Sequence, residues 1–119
     1  MNRIEELQQD AIALLQQLID TPSLSSSEDQ TAAHIKAWLE HHGVVCKRQQ
    51  NNVYAVNKHE DPAKPYLLLN SHHDTVYPNS GYTRNPYKSA IEDGKLYGLG
   101  SNDAGGALVC LLATFVYFY

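Results

Sequence analysis

Cysteine is scarce in this chain: Cys46 and Cys110 are the only two among 119 residues, and no CxxC spacing joins them. Neither a disulfide scaffold nor a cysteine zinc site is expected, and both read as reduced core thiols. Basic side chains are few as well. Nine Lys and Arg against thirteen Asp and Glu leave a formal net charge of -4 with no basic cluster, which excludes a phosphate-backbone footprint and, with it, nucleic acid as an expected partner. The amino terminus, MNRIEELQQD, lacks the apolar stretch of a secretory signal, so a cytoplasmic protein is expected. Repeats and low-complexity tracts are missing too, which excludes solenoids and linker arrays.

What is present fits a globular protein. Apolar residues make up 43% and charged residues 18%, and a chain of this length suits one hydrophobic core. Ile4, Leu7, Ala11, Leu14, Leu15 and Leu18 recur at three- and four-residue steps and predict an amphipathic helix over Arg3 to Asp20, ended by Thr21-Pro22. Ser25-Ser26-Ser27 followed by Glu28, Asp29 and Gln30 predicts a hydroxyl-capped second helix with Ala32, Ile35, Trp38 and Leu39 on its apolar face and Gly43 at its C-cap. Val44-Val45-Cys46 and Asn52 to Asn57 read as a hairpin around Gln50-Asn51. After a polar loop, Tyr66-Leu67-Leu68-Leu69-Asn70 reads as a buried central strand. Residues 75 to 90 form a long connection, and Glu92-Asp93-Gly94-Lys95 a tight turn between two short extended segments. A last helix opens at Gly105.

That helix has no polar face: Ala107 to Tyr119 is nearly all apolar. The run is about 13 residues, short of the roughly 20 a spanning helix needs, so it is expected to lie buried against other layers. Tyr117 and Tyr119 are expected to face the core with one wet end. His34, His41 and His42 on the second helix and His59 in a loop are expected to be solvated.

Two segments carry chemistry. Ser71-His72-His73-Asp74 follows the Leu67-Leu68-Leu69 run, at the strand edge where open α/β sheets bind ligands. In extended backbone, residues two apart share a face, so His72 and Asp74 project together and His73 points away. A carboxylate beside an imidazole fixes its tautomer and leaves the other nitrogen free for a metal. The second segment, Gly98-Leu99-Gly100-Ser101-Asn102-Asp103-Ala104-Gly105-Gly106, holds one carboxylate on a turn whose glycines allow close backbone approach. Asp103 there suits a bridge between two metal ions. Taken singly, each segment has a plainer reading: a structural histidine in the first, a helix cap with flexible glycines in the second.

Together and in order, LLLNSHHDTV (67–76) and LYGLGSNDAGG (96–106) resemble the metallopeptidase and deacylase family that contains acetylornithine deacetylase, succinyl-diaminopimelate desuccinylase, aminoacylase and glutamate carboxypeptidase. Thr21-Pro22-Ser23, Glu28, Asn85-Pro86-Tyr87 and Asp93-Gly94-Lys95-Leu96-Tyr97 extend the resemblance over most of the chain. It implies an α/β fold, the amino-terminal part of a zinc-exopeptidase-like catalytic domain with a mixed sheet between helices and the lid domain absent. On that reading residues 1–119 are a single, incomplete portion of the catalytic domain. It further implies two Zn2+ ions per full-length site, replaceable by Co2+. His72 would ligate one ion, Asp74 would orient His72 as a member of the catalytic apparatus, and Asp103 would bridge both, commonly with a cis peptide after it. Zinc-activated water would attack an amide carbonyl, with a glutamate further along the sequence as general base.

Leu99 departs from a frequent Arg, and Gly105 from a frequent Lys or Met. The pairing of SHHDTV with GLGSNDAGG is most similar to the acetylornithine deacetylase branch, which implies a small N-acyl amino acid as substrate, a setting in arginine biosynthesis, and a homodimer formed through the lid domain. Neither a nucleic-acid nor a membrane partner is expected. Two other readings stand beside this one: a small non-catalytic α/β metal-binding or interaction module, and a membrane-associated subunit anchored by Ala107 to Tyr119.

Overall fold

The computed structural model describes all 119 residues. Helix α1 (Arg3–Ile19) starts at a reciprocal cap: the Asn2 side chain accepts from the Glu5 amide and the Glu5 carboxylate accepts from the Asn2 amide, each at 3.0 Å. Two otherwise orphaned amides are satisfied at once. Leu7, Ala11, Leu14, Leu15, Leu18 and Ile19 are buried along one face, as the periodicity requires, while Ile4 at the open first turn remains exposed.

Helix α2 (Asp29–His41) buries Ala32, Ile35 and Leu39. The expected serine cap does not form. Its N-cap is Glu28, with no side-chain hydrogen bond, because Ser27 N closes a turn onto Leu24 O with Ser26 in the left-handed region at φ 70°. That turn directs the Ser25 hydroxyl to a different partner, described below. The helix ends as expected at Gly43, φ 78°. Gly43 N donates to Glu40 O at 2.9 Å and Val44 N to Leu39 O at 3.0 Å, and Val44 and Leu39 are both buried in the core. This is the paired-carbonyl helix stop with its apolar clasp. It also explains a shift in the following strand: with its amide committed to α2, Val44 cannot join a ladder, and β1 covers Cys46–Gln49 instead.

Strand β1 pairs antiparallel with β2 (Asn52–Ala55) across the Gln50-Asn51 turn. Strand β3 (Ala90–Glu92) pairs with β4 (Lys95–Tyr97) across Asp93 and Gly94, both at positive φ, the turn whose twist matches a hairpin. One parallel bridge, Leu24 to Thr75, ties the α1–α2 loop to the segment after Asp74. The class is α/β, with short antiparallel sheets between helices.

Tyr66 to Asn70 departs from expectation. The run is extended but pairs with no strand, and Leu67 and Leu68 are 85% and 82% exposed. An apolar run becomes a buried strand only when neighbours occupy both its edges and both its faces, and in this chain none does.

Helix α3 (Gly106–Phe118) packs on α1, burying Leu108, Val109, Leu112 and Val116 in one cluster with Leu14, Leu15 and Leu18. Its other face is open. Cys110 and Tyr117 are exposed, which corrects their expected burial: they sit on the side of α3 away from α1. Cys46 is half-buried, and both thiols are free. Together with the preceding turn, Ser101–Phe118 forms an 18-residue apolar stretch, long enough to cross a membrane by length and composition, with 28% of it buried in the fold. A core helix of a soluble protein meets the same criteria.

One histidine corrects its expected solvation. The His42 side chain is only 8% exposed, 4.3 Å from the Trp38 ring, with Nε2 3.5 Å from Asp10 Oδ2 and no hydrogen-bond partner. Burial pushes its pKa below the ordinary imidazole value; the Asp10 carboxylate opposes this, and His41 and Arg3 add to it. A folded-state pKa below the unfolded value of about 6.5 means the unfolded chain takes up the proton first, so stability falls as pH drops through that value. His42→Phe, which keeps a ring against Trp38 and removes the titration, should flatten the fall in melting temperature between neutral and mildly acidic pH. Parallel melting curves for the two proteins across that range would refute it.

Candidate metal centre

Three stretches of chain meet at one place. The α1–α2 loop runs beside Ser71–Thr75: Thr75 N donates to Ser23 O at 2.8 Å, and the buried Ser23 hydroxyl donates to His73 O at 2.9 Å. From the other side comes the wide turn Ser101–Gly105, where Asp103 (φ −122°) and Ala104 (φ −124°) leave helical geometry, the Asp103-Ala104 peptide being cis. This turn is held close to α1. A Cβ on Gly105 would lie 2.6 Å from both Gly100 O and Leu15 Cδ1, so the close approach leaves no room for a side chain there.

The expected alternation is observed. His73 turns inward, with Nδ1 2.7 Å from Thr31 Oγ1 and Nε2 2.9 Å from Asn51 O. Its two ring nitrogens are thereby occupied, and it has none to offer a metal. His72 and Asp74 face the other way, toward Asp103. His72 Nδ1 lies 3.0 Å from Asp74 Oδ1 and 3.2 Å from Asp74 O. Both are acceptors, so Nδ1 carries the proton and Nε2 holds the lone pair. Nε2 lies 3.1 Å from Asp103 Oδ1. A lone pair facing a carboxylate oxygen at that distance requires positive charge between them, either a proton or a metal ion. The donor set, one imidazole nitrogen and one carboxylate oxygen with the tautomer already fixed, fits zinc.

The charges respond accordingly. Partial burial lowers the His72 pKa, but hydrogen bonds donated by the ring to the Asp74 carbonyl and to the Asp103 and Asp74 carboxylates outweigh it, and the net shift is upward. Asp74 is held below the usual carboxylate range, first by the Ser25 hydroxyl and then, against some burial, by His72. Asp103 is open to solvent, its side chain 87% exposed. A cleft of about 350 Å³ lies over His72, Asp74, Thr75, Tyr82 and Asp103. No third His, Cys, Asp or Glu joins the pair to complete a ligand set.

The structure brings His72, Asp74 and Asp103 together. The sequence reading missed the supporting hydroxyls Ser23, Ser25 and Thr31. Their hydrogen bonds span roughly 40 to 50 positions in sequence, and the available signal, three consecutive serines, pointed to a helix cap.

Residues 68–118 match the family described as "Peptidase family M20/M25/M40". The chain is similar to the succinyl-diaminopimelate desuccinylase of Caulobacter sp. (strain K31), 31% identical over 110 residues that cover 87% of this chain and 28% of that protein. It is also similar to those of Rickettsia bellii (strain OSU 85-389), 31% identical over 83% of this chain and 27% of the relative, and Methylorubrum extorquens, 30% identical over 90% and 30%. The chain thus spans under a third of the length of these curated relatives. In a protein carrying this chain, Asp74→Asn, which breaks the charge-assisted grip on His72, should weaken cobalt binding by about 10–100-fold. Chelator competition measures it, and an unchanged affinity would count against the site.

Proposed function

The chain belongs to peptidase family M20/M25/M40, and from that premise we propose that it is the amino-terminal part of the catalytic domain of a metal-dependent hydrolase that cleaves the amide bond of small N-acyl amino acids. The observation that carries the reading is the convergence of His72 Nε2 and Asp103 Oδ1 at 3.1 Å, with Asp74 holding the far side of the imidazole.

The residues divide the work. Asp74 accepts the Nδ1 proton of His72 and so presents the Nε2 lone pair outward. His72 and Asp103 hold the ion from opposite elements, the first from extended backbone and the second from a turn packed on α1. Bound zinc supplies Lewis acidity at an amide carbonyl and at water. The general base is proposed to lie outside residues 1–119, which span under a third of the length of the similar desuccinylases. A lid domain that mediates a homodimer, a second zinc ion and a cytoplasmic setting belong to the same proposal.

Two acyl groups have support. The SHHDTV and GLGSNDAGG segments favour an N-acetylornithine-like substrate, as in arginine biosynthesis, whereas the printed names of the relatives favour an N-succinyl amino acid. The whole protein, loaded with zinc or cobalt, is expected to hydrolyse at least one of N-acetylornithine and an N-succinyl diamino acid, with activity removed by chelation and restored by metal. The 119 residues alone are expected to turn over neither. Turnover by the 119-residue chain that depends on His72 would defeat the partial-site reading. Failure of the whole, metal-loaded protein on a panel of N-acyl amino acids would instead favour a non-catalytic metal-binding module.

A further inference from the structure

Asp74 has two carboxylate oxygens, and the site described so far uses one. Oδ1 takes His72 Nδ1 at 3.0 Å, while Oδ2 accepts from the Ser25 hydroxyl at 2.5 Å. Ser25 is 49 positions away in sequence, on the loop between α1 and α2. We propose that Ser25 is a positioning residue for the metal centre, holding the Asp74 carboxylate in the orientation that fixes His72. The inference rests on the metal-site reading above and extends it by one residue.

The geometry that supports this is the fixing of Ser25 itself. On its amino-terminal side, Leu24 forms the parallel bridge to Thr75, and Ser23 binds the same segment through Thr75 N and His73 O. On its carboxyl-terminal side, Ser27 N closes the turn to Leu24 O. The Ser25 hydroxyl is thus delivered from a backbone tied at both ends. With Oδ1 and Oδ2 both engaged, the plane of the Asp74 carboxylate is set, and through it the plane of the His72 ring. With Oδ2 released to water, the carboxylate can rotate about its terminal bond, a broad torsion with little preference of its own. His72 Nδ1 would then lose its fixed acceptor for part of the time.

Ser25 is solvent-exposed, so trimming it to alanine leaves the hydrophobic core intact. In the whole protein, Ser25→Ala should weaken cobalt affinity about tenfold, the low end of the range for groups supporting a metal-ligating histidine. Ser25→Thr, which keeps the hydroxyl, should restore most of it. A second readout needs no metal: nitrogen-detected imidazole spectra of the metal-free protein, recorded at alkaline pH where the ring is neutral, should show His72 mainly as the Nδ1-H tautomer in the wild type and in Ser25→Thr, and as a mixture in Ser25→Ala. Loss of some general structural support would not move that tautomer ratio. If Ser25→Ala keeps both affinity and tautomer while His72→Ala abolishes binding, the role of Ser25 is refuted and the metal site stands. If His72→Ala binds cobalt as tightly as the wild type, the site reading fails and takes this inference with it.

Discussion

Leu14, Leu15 and Leu18 on α1 meet Leu108, Val109 and Leu112 on α3, and the position of Asp103 depends on that contact. The carboxylate sits on the turn that leads into α3, and the same turn is pinned to α1 where Gly105 N donates to Gly100 O and the glycine lies against Leu15. Removing the apolar contact would leave the turn without a wall. Burial of each leucine contributes on the order of 1.5–3 kcal/mol, several times the worth of an exposed ion pair. The hydrophobic contact therefore fixes where the exposed charges stand, and the charges do not hold the helices.

On the opposite side, hydrogen bonding takes over from apolar burial. Ser71–Thr75 joins no ladder beyond the single Thr75 bridge to Leu24, so its polar groups are satisfied by the α1–α2 loop and by Thr31 and Asn51. His73 anchors it inward and His72 works outward, which is what the two-residue periodicity of extended backbone provides. The arrangement separates an imidazole engaged inside the fold from one turned toward Asp103 in adjacent positions. Exchanging their roles by a one-residue slip would turn both to the wrong face.

Legibility from sequence followed the range of the interaction. The α1 periodicity, the Gly43 stop, the Asp93-Gly94 turn and the shared face of His72 and Asp74 all rest on contacts within a few residues, and all are found. Pairing Asp103 with His72 needed contact across 31 positions, and only the joint motif pointed to it. What was misread depended on distant partners: Ser25, whose hydroxyl goes to Asp74 and not to α2; His42, buried against α1; and Leu67–Leu69, a strand by composition with no ladder to join. Cys110 and Tyr117 belong with these, because an all-apolar helix does not reveal which side will be covered.

The exposed Leu67–Leu69 run and the facing His72–Asp103 pair are connected. His72 is reached through that run, so the precision with which it can present Nε2 depends on how firmly residues 67–71 are held. In an open sheet, a central strand is clamped by ladders on both edges, and side chains at its end inherit that rigidity. Here the clamp is supplied locally, by Ser23, Ser25 and Thr31, three hydroxyls from one loop and the helix it enters. Those bonds act on residues 73–75 and leave 67–70 free, so they hold His72 from its carboxyl-terminal side only. Pairing the 66–70 edges would steady the same imidazole from its amino-terminal side.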